Sequence, residues 1–163
     1  MKYIASTLLF VLFFCSISIA QMTASATAMG TFSVLGSTTI TKIADLDFGN
    51  LIIGVNMTVQ PTDAHAAEFL FNGDVNTVVQ VTITFPSNLT CGSNTMTFHT
   101  VSPIYNTIPD AMSATQFKNT SGGSATTGTD GNLYIWAGGR VMANKNQAVG
   151  IYTGIIQIEV VEQ

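Results

Sequence analysis

The sequence predicts an all-β domain, a sandwich of short antiparallel strands, on three observations. Apolar and polar residues alternate with a period of two through nearly every segment, as in strands with one buried face. Clusters of Gly, Asn, Asp, Ser and Thr interrupt that alternation at short intervals, where turns belong. Outside a short helix placed between Pro109 and Phe117, no segment has helical period.

The chain opens with Met1 and Lys2, then an apolar run from Ile4 to Ile19, with the small residues Ser18 and Ala20 at its end. A basic start, an apolar stretch and a small-x-small close form a secretory signal, and the run is shorter than the roughly 20 residues that span a bilayer. Residues 1–20 are therefore expected to be a signal peptide cut after Ala20, leaving Gln21 first. Cys15 raises a lipoprotein signal as an alternative, against which Phe14 is bulky for the position before a lipidated cysteine. No second apolar stretch reaches spanning length, so no transmembrane segment is expected after cleavage. The mature chain is expected to be exported: periplasmic, at the cell surface or extracellular.

Residues 21–163 are expected to form one domain. In its first segment Met22, Ala24, Ala26, Ala28, Gly30, Phe32 and Val34 share one face, opposite Thr23, Ser25, Thr27, Thr31 and Ser33, with Met29 and Leu35 breaking the pattern. Val55, Met57 and Val59 alternate with Asn56 and Thr58, and Val79, Val81, Ile83 and Phe85 with Gln80, Thr82 and Thr84. Pro86 closes that strand because it has no N–H to give to a ladder. Met96 and Phe98 begin another strand, Leu133 to Ala137 read as a core strand around Trp136, and Tyr152, Gly154, Ile156, Ile158 and Val160 mark the last. Asn72 to Asp74 read as a turn, Ser121 to Gly131 as a loop within the sandwich, and Gly138 with Gly139 as a tight corner.

Composition excludes several functions. After cleavage Lys42, Lys118, Arg140 and Lys145 face nine acidic residues, a net charge of −5, and scattered cations make no phosphate-binding stripe, so nucleic acid is not an expected partner. A sparsely charged surface rich in Thr, Gly and Asn suits packing against copies of itself. With Cys15 gone, Cys91 is alone and no internal disulfide can form; a buried or idle thiol is the plainer reading, pairing between chains the other.

Catalytic chemistry is not expected. His65 and His99 are far apart and lack zinc-ligand spacing, so no metal or other cofactor is expected, and His99 falls on the polar side of its strand. Asp45 and Asp47 lack the oxygen-donor repeat of a calcium loop and read as a turn-stabilising pair. Asn56, Asn88 and Asn119 match the glycosylation pattern, which chance supplies easily in a chain rich in Asn and Thr. Tyr105, Tyr134 and Trp136 could line a sugar platform, although Trp136 in an apolar run reads first as core.

The segment ITKIADLDFGNLIIG, Ile40 to Gly54, resembles the domain-of-unknown-function 4402 family of secreted bacterial proteins, which carry a similar I-T-K-x-x-D-L-D-F-G stretch. The closing segment GGRVMANKNQAVGIYTGIIQIEV is similar to the same family in its Gly-Gly strand, its N-Q pair and its G-x-Y-x-G opening to the last strand. More distantly, the layout resembles spore-coat-U-like and chaperone-usher pilin subunits, although it lacks their usual disulfide. The resemblance implies an immunoglobulin-like, pilin- or adhesin-like sandwich exported by a Gram-negative bacterium.

A physical argument stands beside the resemblance. The sequence given ends just after the strand from Tyr152 to Val161, and an uncovered apolar edge invites another strand. Residues 21–35 could fill that role within their own domain or in a neighbour, with Met22, Ala24, Ala26, Ala28, Phe32 and Val34 as the exchanged face. Donation of this kind builds open, head-to-tail fibres. The expected function is a non-enzymatic structural subunit of a pilus-like or coat-like assembly, partnered by itself or by related surface subunits. The alternative is a stand-alone secreted module binding a glycan or a protein.

Overall fold

A computed structural model describes residues 22–30 and 38–163. The signal-peptide expectation and the expectations on Phe32 and Val34 lie outside the described residues. What is described is an all-β sandwich, nearly closed into a barrel, as the alternation predicted.

The strands are β1 (Met22–Gly30), β2 (Thr39–Ala44), β3 (Leu46–Leu51), β4 (Asn56–Val59), β5 (Ala67–Asn72) and β6 (Val78–Thr84). There follow β7 (Asn88–Cys91), β8 (Asn94–Asn106), β9 (Thr115–Gln116), β10 (Gly122–Thr126), β11 (Asn132–Met142) and β12 (Ile151–Glu162). The hydrogen-bonded order β10-β6-β12-β7-β8-β11-β5-β2 wraps around one core, with β4 on β11 beyond the end of β5 and β9 on β8. β12 holds β6 along Gln157–Glu162 and meets β7 at Thr153 opposite Thr90, so one of its edges serves both strands. Its other edge carries β1, with β3 beyond.

The buried faces follow the sequence pattern where a strand has one wet side. Val79, Val81 and Ile83 of β6 and Tyr152, Ile156, Ile158 and Val160 of β12 are buried between their exposed alternates. They pack with Leu46, Phe48, Phe69, Phe71, Leu89, Met96, Leu133 and Ile135 in one apolar cluster. Removing that surface from water is the main favourable term of folding.

Several local expectations are corrected. Three strands are long, β8, β11 and β12, and β1 runs parallel to β12 although its other pairing is antiparallel. Val55 and Met57 are exposed, because β4 is a short edge segment that sends Val59 alone into the core. Part of the expected Ser121–Gly131 loop is strand β10, which the backbone ladder to β6 holds despite poor strand propensity. Gly138 and Gly139 form no corner. They lie buried inside β11, where a methyl on Gly138 would run into the Val59 carbonyl and Pro61, and one on Gly139 into the Phe98 ring. The expected helix before Phe117 is a single 3₁₀ turn, Ala111–Ser113, capped by Asp110, whose carboxylate accepts from the Met112 N–H at 3.0 Å.

Candidate functional site

The seam occupied by β1 is the candidate site. Residues Thr23–Gly30 pair in parallel with Ile151–Ile158, and Met22–Ala26 pair antiparallel with Leu51–Leu46. β1 is thus bonded through the backbone on both edges. The core-facing side chains described on it are Ala24, Ala26 and Ala28, all buried, with Thr27 exposed on the other face. The backbone of Met22 lies in the seam, while its side chain and all of Phe32 and Val34 fall outside the described residues. Three buried methyls withdraw little apolar surface, about 2–3 kcal/mol in all at about 0.8 kcal/mol per carbon. Among the described side chains of this strand, the backbone ladder and the close approach of small residues count for more than bulk.

The Asp45–Gly49 stretch, D-L-D-F-G, builds one wall of the seam. Leu46 and Phe48 point into the core, and Phe48 meets Phe98 edge-on at a centroid distance of 6.2 Å. The β1–β3 register slips between Ala24 and Ser25, so that Phe48 is the extra residue of a bulge. Gly49 takes φ +61° there, a left-handed conformation suited to glycine, and its N–H donates to the Asp47 carboxylate at 2.8 Å. Asp47 therefore stabilises a local bend, as expected.

Asp45 does more than the sequence foretold. Its Oδ1 accepts the backbone N–H of Ala28 at 3.0 Å and also meets Lys42 Nζ at 3.0 Å, tying β1 to the turn between β2 and β3. Partial burial pushes its carboxyl up, but the Ala28 N–H and the Lys42 ammonium together outweigh that and hold it below the ordinary carboxylate value. Spacing alone could not reveal this contact, because Ala28 is distant in sequence. The one available signal was a carboxylate three residues after a lysine where a strand must change layers.

The other wall is fixed by the closing motif. Gln147 is buried and donates through Nε2 to the Thr95 carbonyl at 3.0 Å and to the Tyr152 hydroxyl at 2.6 Å. The Tyr152 hydroxyl donates in turn to the carbonyl of Ala148, four residues upstream, at 2.8 Å. A tyrosine bonding back to the chain that precedes its own strand is the corner device of immunoglobulin-like sandwiches. It pins the 144–150 loop and sets the start of β12 opposite Thr23.

The remaining chemical candidates do not converge. His65 and His99 are both exposed, and His99 Nε2 approaches Met142 Sδ at 3.0 Å. Among the described residues no three His, Cys, Asp or Glu side chains gather as a metal site. Cys91 ends β7 before the Gly92–Ser93 turn, half-buried against the core, with the Gly150 backbone close to its thiol. Tyr134 and Trp136 stack at 6.0 Å on the face of β11 opposite Leu133 and Ile135, and Trp136 is buried there across from Ile104. Tyr105 faces inward instead and packs on Phe117 at 4.5 Å, so the three aromatics form no shared platform. A cleft of about 390 Å³ opens near Tyr105, lined also by Gln80, Gln116, Lys118, Asn119 and Ser124.

The class that fold and seam define is an all-β sandwich in which β1 is wedged between β12 and β3. The chain matches no protein-family model and no curated protein, so the family likeness rests on its two motifs.

Proposed function

We propose that this chain is an exported, non-enzymatic subunit of a pilus-like or coat-like surface assembly, in which copies join by exchanging the β1 segment. The observation that carries the reading is the make-up of the seam. β1 is bonded along both edges through its backbone, and its described core-facing side chains are three alanines. A strand held mainly by main-chain bonds can be replaced by an identical strand from another chain with every bond re-formed. The vacated groove would expose the edges of β12 and β3 and the apolar residues beneath them, a state that demands a replacement. The likeness of the D-L-D-F-G and G-x-Y-x-G motifs to the domain-of-unknown-function 4402 family, and the distant likeness to pilin subunits, agree with this reading.

The test compares residues 21–163 with residues 36–163 by thermal melting and gel filtration. Lower stability of the shorter chain, restored by adding a peptide of residues 21–35, supports exchange. A truncated chain that the peptide cannot restore sinks it.

A second reading, a stand-alone secreted module binding a glycan or protein, is favoured by two observations. β1 sits in its own chain, and the cleft beside Tyr105 offers an aromatic edge with neutral amides and a hydroxyl. A full-length chain that stays monomeric at high concentration and binds glycans through that cleft would favour this reading.

A further inference from the structure

The cleft beside Tyr105 lies where the sandwich fails to close. β9 bonds to β8 and β10 bonds to β6, and neither strand pairs with the other. Residues 117–121 cross between them on a backbone pinned at both ends. The Phe117 N–H donates to the Pro103 carbonyl at 3.0 Å, and the Ser121 carbonyl accepts from the Ile83 N–H at 2.8 Å. Between those anchors the Asn119 carbonyl accepts from the Gly122 N–H at 3.1 Å. Lys118 and Asn119, both exposed, are therefore presented from a fixed frame.

The rest of the cleft is ordered too. Tyr105 packs on buried Phe117 at a centroid distance of 4.5 Å and supplies an aromatic wall. On the β6–β10 side, Ser124 Oγ donates to Gln80 Oε1 at 3.1 Å, and Gln80 Nε2 donates to the Val81 carbonyl at 3.3 Å. Gln116, Lys118 and Asn119 line the same cleft, and their side chains make no hydrogen bond or ion pair with another described residue. At about 390 Å³ the cleft has the size of a small-ligand site, but amides and hydroxyls dominate its lining.

That chemistry selects the ligand. A side-chain amide both donates and accepts, as does each hydroxyl of a sugar, so Gln116 and Asn119 match a polyhydroxylated ring in both senses. Tyr105 offers the apolar surface that the C–H groups of such a ring need. Lys118 is the one charge in the lining, and no carboxylate joins it. Of the carboxylates on neighbouring elements, Asp110 is bonded to the Met112 N–H and the Ser113 hydroxyl. Glu159 of β12 stands two strands, about 10 Å, from β10. A lysine without a counter-ion beside neutral donors favours a ligand that brings its own negative charge, because a charge-assisted bond is roughly twice as strong as a neutral one. The protein's net charge of −4 does not oppose this, since salt screens exposed charges beyond about 8 Å.

We propose that this cleft binds an acidic saccharide, one whose sugars carry carboxylates of the uronic or sialic kind, with Lys118 on a carboxylate and Gln116 and Asn119 on ring hydroxyls. The inference deepens the glycan-binding reading and rests on it. None of the lining residues belongs to β1, so the cleft persists whichever copy supplies that strand.

The test titrates the full chain by calorimetry with galacturonate, glucuronate and mannuronate trisaccharides and with sialyllactose. Each is compared with its methyl ester, which keeps the hydroxyls and removes the charge. At least one acid should bind, about tenfold tighter than its ester, the worth of one charged hydrogen bond. Lys118→Met should abolish that difference, and Gln116→Ala with Asn119→Ala should weaken acid and ester together. All three positions are exposed, so these substitutions leave the fold intact. Equal binding of acid and ester, weakened by Gln116→Ala with Asn119→Ala, overturns the inference and leaves the glycan-binding reading standing. A preference for the acid that survives Lys118→Met also overturns it, because the charge contact then lies elsewhere. No binding by any of these sugars overturns the inference and the glycan-binding reading together.

Discussion

β1 and β12 lie side by side in one ladder, and both send every second side chain into the core, although β12 also exposes Ile151, Ile155 and Val161 on its outer face, yet different forces hold them. β12 sends Tyr152, Ile156, Ile158 and Val160 into the core, each worth roughly 1.5–3 kcal/mol of burial for the aliphatic ones. β1 sends Ala24, Ala26 and Ala28, and relies on backbone bonds along both edges and on the Asp45 carboxylate. The difference separates a strand that defines the core from one that closes it. Side-chain packing is specific to the shape of its own site, whereas a backbone ladder over small residues accepts any strand of the same pattern. That is the property an exchangeable strand needs, and the comparison can be broken by mutation.

The largest effect belongs to β12. Ile156→Ala deletes a fully buried side chain and should cost about 2–5 kcal/mol, read as a lower urea midpoint with unchanged slope. The matching truncation in β1, Ala26→Gly, should cost about 1–2 kcal/mol, the buried methyl and the added backbone freedom contributing about equally. Equal losses at the two sites would erase the contrast. Enlarging β1 comes next: Ala26→Leu forces extra methyl groups into a packed seam and should cost about 1–3 kcal/mol. The same change in a peptide of residues 21–35 should abolish its ability to stabilise residues 36–163. A leucine-bearing peptide that still works would mean that the seam does not select small residues.

Much of this contrast was legible in the sequence. The alternation of Ala24, Ala26 and Ala28 and of Tyr152 to Val160 is visible because each strand has one buried face, so period two maps directly onto burial. The pattern fails where the chain changes faces. In β8, Met96 and Phe98 point inward, but Ser102 and Pro103 together face Ala137, and this extra residue turns Tyr105 inward and Ile104 to the opposite face, where it lies buried across from Trp136. Gly138 and Gly139 read as a corner because glycine often marks turns, whereas here they make room for Pro61 and Phe98 within a continuous strand. β10 escaped notice because its stability comes from the β6 ladder rather than from its own Gly, Ser and Thr. The role of Asp45 escaped for a different reason: a hydrogen bond spanning 17 residues leaves no periodic trace.

Smaller effects test that latch. Asp45→Ala removes the acceptor for the Ala28 N–H and should cost about 1 kcal/mol, while Lys42→Ala, at an exposed ion pair, should change stability by less than about 0.5 kcal/mol. If the two substitutions cost the same, the ion pair rather than the bond to β1 is the relevant contact. Faster amide exchange confined to β1 in Asp45→Ala would show that the loss falls on the strand that the carboxylate holds.

The smallest effect is the dependence on pH, and its sign follows from the direction of the shift. Asp45 in the folded chain is held below its ordinary value of 3.8, so the folded state favours the ionised form. Its contribution is complete above the unfolded value and is lost as pH falls through the folded one. Asp110, lowered by the Ser113 hydroxyl and the Met112 N–H, and Asp130, lowered by the Asn132 N–H, titrate in the same sense in other turns of the sandwich. Comparing the wild-type chain with Asp45→Asn cancels those two and isolates the latch. The stability difference should be constant from neutral pH down to about pH 5 and shrink below about pH 4, as protonation makes the wild-type carboxyl resemble the amide. A difference that persists unchanged into strong acid would mean that the charge on Asp45 contributes nothing, and that its neutral oxygen alone holds the Ala28 N–H.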